Sequence, residues 1–275
     1  MLQIKGLCRS YGGRDVLKNI DLDIAPGSFT AIVGANGSGK STLALHMNAL
    51  LRPEHGSVIV DGMDTRDSDR LFDIRERVGM VMQNPDSQSV ASIVEDDTAF
   101  APENLGMDEA ETNRRIDYAL DAVGISHLRH RPISTLSGGQ KQLAAIAGIL
   151  AMRPKYMVCD EATSMLDPMS RRRILSCVRR LNKELGITVI WITHYMDEAA
   201  LSDRMIVLDN GTIAADGMPR EIFKDAALLE CCALELPPCA ALAAELIKSG
   251  IKLGTLPLTA DECADMILKH TEAVL

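Results

Sequence analysis

The chain has 275 residues, of which 47% are hydrophobic, 24% charged and only 3% aromatic. That apolar content supports a sizeable buried core and excludes an intrinsically disordered chain. With 29 Lys and Arg against 38 Asp and Glu, the net charge is −9 and no basic tract stands out, which argues against a phosphate-tracking nucleic-acid binder. Apolar runs such as Val189-Ile190-Trp191-Ile192 are strand-sized, far short of the ~20 residues that span a bilayer. Met1-Leu2-Gln3-Ile4-Lys5 has neither the basic start nor the apolar stretch of a signal peptide, so the expectation is a soluble cytosolic chain.

In chain order, three β-like stretches open the sequence: Leu2–Cys8, Ile20–Ile24 and Phe29–Val33. Ile20–Ile24 alternates apolar and acidic residues, the period-two pattern of a half-buried strand. Pro26-Gly27 marks the turn before the third stretch. A glycine-rich loop follows Val33 and opens a helix from Lys40 to about Leu51. Further strands are expected at Ser57–Val60, Val78–Met82, Tyr156–Cys159, Thr188–Thr193 and Arg204–Asp209. Helices are expected at about Asp108–Val123, Gly139–Met152 and Pro168–Leu185. Strands alternating with helices predict a mostly parallel α/β sheet covered on both faces. The section from about Asn84 to Arg153 lacks a convincing strand and reads as an inserted helical subdomain. Gly211-Thr212 and Asp216-Gly217 bracket a final hairpin. Composition changes near Asp225, beyond which helices at Cys239–Lys248 and Ala260–Lys269 make a small appendage. Of seven cysteines, four lie late, near His270. Their spacing fits no common zinc pattern, and reduced thiols packed as small hydrophobes are the expectation.

Three motifs carry chemistry. Gly34-Ala35-Asn36-Gly37-Ser38-Gly39-Lys40-Ser41-Thr42 fits G-x-x-x-x-G-K-[ST] between a strand and a helix. Its glycines let backbone N–H groups turn around an anion, Lys40 reaches the β- and γ-phosphates, and the Ser41 hydroxyl ligates magnesium. Nucleotide binding follows. Tyr156–Glu161 is an apolar strand ending in two carboxylates, which places Asp160 to hold magnesium through a water and Glu161 to polarise an attacking water. Leu136-Ser137-Gly138-Gly139-Gln140 brings two bare glycines and a serine to a helix start, a second anion site; read plainly, Ser137 is also an ordinary helix cap.

The phosphate loop, Leu136–Gln140 and Asp160-Glu161, in this order, resemble the ATP-binding cassette (ABC) ATPases over about Met1–Asp225. That resemblance implies a P-loop NTPase fold with antiparallel N-terminal strands, a mostly parallel sheet and an inserted helical subdomain. It implies ATP and Mg2+ as ligands, Tyr11 as the adenine-stacking aromatic, and Gln83 on magnesium and the lytic water. It further implies catalytic roles for Glu161, Gln83 and His194, the last as γ-phosphate sensor, and a short loop after the acidic pair, Ser164-Met165-Leu166-Asp167, that carries Asp167. Two cassettes would pack head to tail, so that Ser137 and Gly139 act on the partner's ATP.

Finer features narrow the resemblance. Gln83-Asn84-Pro85-Asp86-Ser87-Gln88, Phe100-Ala101-Pro102-Glu103-Asn104-Leu105-Gly106, Gln140-Lys141-Gln142 and the late Leu234–Pro238 and Leu256–Thr259 stretches resemble the ATPases of energy-coupling factor transporters. Gln-Asn-Pro-Asp is similar to the first of the two ATPase paralogues in such systems. The implied function is ATP hydrolysis driving uptake of a vitamin or transition-metal ion. The implied partners are a second ATPase, a transmembrane coupling protein and a membrane substrate-binding subunit, with this chain peripheral at the cytoplasmic face. The groove near Gln83–Gln88 would receive a coupling helix, and residues 226–275 would help hold two ATPases together. One departure is Leu143, where the family often has arginine; it is read as a lost helix-surface charge. An ordinary ABC importer ATPase and a soluble non-transport ABC ATPase stay open as alternatives, the second disfavoured by the lack of a heptad run between Lys40 and Leu136.

Overall fold

The computed structural model describes residues 1–251 and 253–274, with side chains to residue 269. Two sheets organise it. The smaller is antiparallel, with strands β1 (Leu2–Tyr11), β2 (Arg14–Ile24), β4 (His55–Val60) and β5 (Met63–Asp64) in the order β2-β1-β4-β5. The larger contains β3 (Phe29–Val33), β6 (Val78–Val81), β7 (Tyr156–Asp160), β8 (Thr188–Ile192), β9 (Arg204–Asp209) and β10 (Thr212–Gly217), in the order β10-β9-β3-β8-β7-β6. All of its pairings are parallel except β9 with β10. The phosphate loop leaves β3, the acidic pair ends β7, and His194 follows β8. Because β3, β8 and β7 are neighbours in one parallel sheet, their C-terminal ends bring all three to one edge, where open α/β sheets place ligands.

Helices α1 (Lys40–Met47), α2 (Leu71–Arg77), α3 (Val94–Asn104), α4 (Glu109–Ala122), α5 (Gly138–Ala151), α6 (Pro168–Leu185) and α7 (Met196–Ala199) belong with these sheets. The chain continues through α8 (Pro219–Ile222), α9 (Ala226–Cys231), α10 (Pro238–Lys248) and α11 (Ala260–Val274). Between β6 and β7 the described residues hold no strand, only helices and the single bridge Ile93–Pro132. One hydrophobic cluster joins α4, α5 and α6 to the sheet through Met157, Val189 and Trp191. A second fills the space between the antiparallel sheet, α1 and the opposite face of the parallel sheet. In a third, Leu229, Cys232 and Leu258 are buried with Ala31, Val33 and Met205, so the late segment is packed onto the sheet itself.

Several expected boundaries move. β1 runs to Tyr11 rather than Cys8, and β2 starts at Arg14 rather than Ile20, because Gly12 and Gly13 (φ +55° and +81°) close the hairpin tightly enough to extend both strands. β4 opens at His55 rather than Ser57. α1 stops at Met47 rather than Leu51, since Ala49 takes a positive φ of 58°. β6 stops at Val81, before Met82, and β8 stops at Ile192, before Thr193. The last hairpin turns at Asn210-Gly211, and Thr212–Gly217 is its second strand rather than a bracket around it. Helices α2, α3, α7, α8 and α9 and the short strand β5 match no expected element. Leu143 is 1% exposed, within the cluster that α5 shares with α4 and α6, so its replacement of arginine is a core residue and not a lost surface charge.

Candidate active site

Gly34 begins the phosphate loop at φ +152°, and a side chain there would place its Cβ 2.1 Å from the Leu208 carbonyl oxygen of β9. Only glycine fits between the loop and that strand. Lys40, 4% exposed, folds back across the loop and donates from Nζ to the Gly34 and Ala35 carbonyls at 2.9 and 3.0 Å. Burial lowers its ammonium from the ordinary lysine value, and the nearby Glu161 and Asp160 carboxylates oppose that shift. The loop lines two clefts, of about 530 and 760 Å3.

In the smaller cleft, Gly37, Gly39, Lys40, Ser41 and Thr42 face Arg14, Asp15, Val16 and Lys18 of β2. Ser41 Oγ donates to Asp160 Oδ1 at 3.1 Å. Burial raises the Asp160 carboxyl from the usual range; the Ser41 hydrogen bond works the other way and the Glu161 charge adds to the rise. An oxygen-only pair of this kind suits a hard divalent cation, which would restore the ionised form.

In the larger cleft, Gly34, Ala35 and Asn36 face Gln83, Glu161, Ser164 and His194. Glu161 takes a left-handed φ of 49°, which is uncommon for a residue with a side chain, and its N–H donates to the Ile192 carbonyl at 3.0 Å. The bend directs its carboxylate into the cleft, where Oε2 accepts from Gln83 Nε2 at 3.2 Å and lies 3.8 Å from His194 Nδ1. Gln83 Nε2 also donates to Ser164 Oγ at 3.1 Å.

Gln83 is itself braced by Gln88 and Gln142, neither of which was expected to support the catalytic residues. Gln88 accepts from the Met82 N–H at 2.9 Å and donates to the Met80 carbonyl at 3.1 Å, and the fully buried Gln142 of α5 donates to the Met82 carbonyl at 3.3 Å. Their signal was their place in the polar Gln83–Gln88 run and just after the family's signature motif, Leu136–Gln140.

The signature residues stand apart. Ser137 caps α5, accepting from Gln140 N at 3.3 Å while its own N–H donates to Gln140 Oε1 at 2.9 Å, a reciprocal capping box. Gly138 and Gly139 allow α5 to approach the segment around α6: a Cβ on Gly139 would sit 2.9 Å from Ser170 Oγ, and one on Gly138 would sit 3.2 Å from Leu166. Leu136–Gln140 line neither cleft of the phosphate loop. Asp167 caps α6, accepting from the N–H groups of Met169 and Ser170, both at 3.0 Å. Tyr11, 45% exposed, ends β1 opposite Arg14 with the Arg9 guanidinium 4.7 Å from its ring centre; it lines neither cleft.

A family model described as "ABC transporter" matches residues 17–164. The energy-coupling factor transporter ATP-binding protein EcfA1 of Symbiobacterium thermophilum is 53% identical over 254 residues, 92% of this chain and 88% of that protein. EcfA1 of Caldanaerobacter subterraneus is 51% identical, covering 92% of each chain. The chain belongs to the energy-coupling factor family of ABC transporter ATP-binding proteins. As a member of that family it is an ATPase that binds ATP. Among solved structures, cbiO1 from Clostridium perfringens, described as part of the ABC transporter complex cbiONQ, superposes with a TM-score of 0.78 at 36% identity, over 90% of this chain and 98% of that one. A dimeric ATP-binding cassette bound to ADP and Pi superposes with a TM-score of 0.71 at 29% identity, over 80% and 99%. Within this family fold, the late cysteines are free thiols; His270 lies outside the residues with described side chains. No helix among the described residues is long and apolar enough to cross a membrane.

Proposed function

We propose that this chain hydrolyses ATP at a site completed by a second cassette, and that the cycle drives uptake of a vitamin or transition-metal ion through separate membrane subunits. The observation that carries this is the split of the machinery. Lys40, Ser41, Asp160, Gln83, Glu161 and His194 gather around the clefts of the phosphate loop, while Leu136–Gln140 lie outside both. A donor set that reaches no phosphate in its own chain is free to close over the ATP of another.

In this reading, Gly34–Thr42 wrap the phosphates with backbone N–H groups, and Lys40 exchanges its two carbonyl partners for phosphate oxygens. Ser41, Asp160 and Gln83 would hold Mg2+, which when bound would neutralise phosphate charge. Glu161 accepts a proton from, and orients, the attacking water; His194 and Gln83, both against the Glu161 carboxylate, fix its position. Ser137, Gly138 and Gly139 of the opposite chain stabilise the γ-phosphate, with Asp167 at the seam between chains. Tyr11 stacks on adenine beside the β2 wall of the smaller cleft.

We take residues 1–225 as the cassette, with its helical subdomain over about 84–153, and 226–275 as a helical extension that joins two ATPases. The Gln83-Asn84-Pro85-Asp86 sequence favours a paralogue as the second ATPase, with a second copy of this chain as the alternative. The chain sits at the cytoplasmic face of the membrane against the coupling protein. Pull-down of the tagged chain from detergent-solubilised native membranes tests this. A multi-span protein, a small hydrophobic binding subunit and a second cassette are the expected companions; ribosomal or DNA-bound proteins without a membrane protein would overturn the reading.

A further inference from the structure

Behind the larger cleft lies a carboxylate that touches neither cleft. Glu198 on α7 is 2% exposed, and three side-chain donors from two different segments converge on it. Thr163 Oγ1, two residues beyond Glu161, lies 2.8 and 3.0 Å from its two oxygens. Trp191 Nε1, inside β8, donates to Oε2 at 3.0 Å, and Thr193 Oγ1 donates to the same oxygen at 2.8 Å. A third segment enters through Arg171 of α6, whose Nε lies 3.4 Å from Oε1.

These contacts bracket the two catalytic turns. Thr193 and Tyr195 flank His194, and the Thr193 hydroxyl that donates to Glu198 also accepts the Tyr195 N–H at 3.0 Å. The Tyr195 ring centre lies 4.1 Å from that of the His194 imidazole, and the Arg171 guanidinium stacks on the Tyr195 ring at 3.4 Å from its centre. On the opposite side, Thr163 precedes Ser164, whose hydroxyl accepts from Gln83, and whose carbonyl accepts the Tyr195 hydroxyl at 3.5 Å. One buried carboxylate therefore ties the turn of His194, the turn after Glu161 and the start of α6 into a single unit. A buried anion with this many donors is rigid when every partner is present and costly when one is missing.

We propose that Glu198 is a positioning residue for ATP hydrolysis: it fixes His194 relative to Glu161 and Gln83, and makes the α6 end move with them. The inference rests on the catalytic roles proposed above. It assigns Glu198 no contact with nucleotide, so its loss acts on turnover and spares ATP binding, which the phosphate loop provides independently of this network. Misplacing a catalytic group by about 1 Å can cost about 100-fold in rate.

The test compares Glu198→Gln, Thr163→Val and Thr163→Ser in the full chain, in the assembly with which it purifies. Steady-state turnover is measured at saturating Mg-ATP, and ATP affinity by calorimetric titration. Glu198→Gln places an N–H among donors, and Thr163→Val removes one donor at constant shape. The expected result is a fall in kcat of about 10- to 100-fold for both, with the ATP Kd within about threefold of the parent and most of the lost turnover recovered by Thr163→Ser. If Glu198→Gln does not fold, the isosteric Thr163→Val decides alone. Parent-level kcat in the folded variants, or kcat and affinity falling together in proportion to the folded fraction, would overturn the inference. Glu161→Gln is run alongside: full turnover there sinks the catalytic reading itself, whereas an inactive Glu161→Gln beside fully active Glu198→Gln and Thr163→Val sinks only the positioning role.

Discussion

Gly79 lies in β6, the strand that leads to Gln83, and faces Ile149 of α5, the helix that begins at the signature. A Cβ built on Gly79 would sit 2.2 Å from Ile149 Cγ2, 3.5 Å from Ile149 Cβ and 3.6 Å from Pro154 Cγ. Ordinary carbon contacts need more than 3.4 Å, so Gly79→Ala requires more than an ångström of movement from a branched side chain fixed on a helix. The contact to Ile149 Cβ itself is tolerable, so the whole conflict resides in one methyl group. Overpacking of this kind costs about 1–3 kcal/mol. At about 2–4 °C per kcal/mol for a chain of this size, thermal unfolding should shift down by roughly 2–12 °C. The second half of a double-mutant cycle removes the methyl. Ile149→Ala alone costs stability through lost packing, but Gly79→Ala in that background should cost much less than it does alone, giving a coupling of about 1–2 kcal/mol. Calorimetric melting of the four proteins measures it. Full additivity, or a Gly79→Ala variant as stable as the parent, would refute the argument from helix–sheet approach. ATP turnover of the folded Gly79→Ala variant should also fall, because the strand and helix that it separates carry Gln83 and Ser137.

Lys40→Met keeps the length of the side chain but deletes the donors now held by the Gly34 and Ala35 carbonyls. At about 1.5–3 kcal/mol per charge-assisted hydrogen bond, ATP affinity measured by titration of the folded variant should fall about 100-fold or more, and an unchanged affinity would remove Lys40 from phosphate binding. Thr163→Val and Glu198→Gln should separate turnover from affinity as set out above. Arg220 of α8 donates to both oxygens of Glu262 at 2.8 and 2.9 Å and to the Leu256 carbonyl at 2.6 Å, clamping the late segment onto the sheet. The Glu262 carboxyl is lowered from its usual value, first by the Leu258 N–H, with burial opposing and Arg220 adding to the shift. A lowered folded-state value means that the clamp contributes fully above the ordinary carboxylate range and is lost as pH falls through the depressed value. Hydrogen exchange over residues 256–262 should therefore rise sharply below about pH 4. In Glu262→Gln it should be raised already at neutral pH and respond less to acid; exchange unaffected by the substitution would discard the clamp.

Where the sequence carries local chemistry, it could be read closely. Pro168–Leu185 is observed at its expected bounds because Asp167 caps it, Pro168 opens it and Gly186 ends it in the left-handed region. The phosphate loop, the acidic pair and the strand before Gln83 were legible for the same reason: short motifs whose backbone demands fix the residue types. Helix α3 was not legible, because Ile93 supplies no side-chain cap at its start and Pro102 lies inside it; packing against α5 holds it. Leu143 was misread because nothing in a helical pattern tells which face a neighbouring subdomain will cover. The Glu198 network was invisible for a related reason. Its donors come from positions 163, 191 and 193, and only the parallel order β7-β8 brings them together.

The proposed composite site places ATP between two chains, with Glu161 driving its hydrolysis. Light scattering of purified Glu161→Gln with and without Mg-ATP, mixed with the partner cassette recovered from membranes, tests it most directly. The expected result is a long-lived, nucleotide-dependent pair that contains intact ATP and is abolished by Ser137→Arg, with little turnover. A Glu161→Gln protein that stays unpaired in Mg-ATP and hydrolyses it at the parent rate would rule out the composite site.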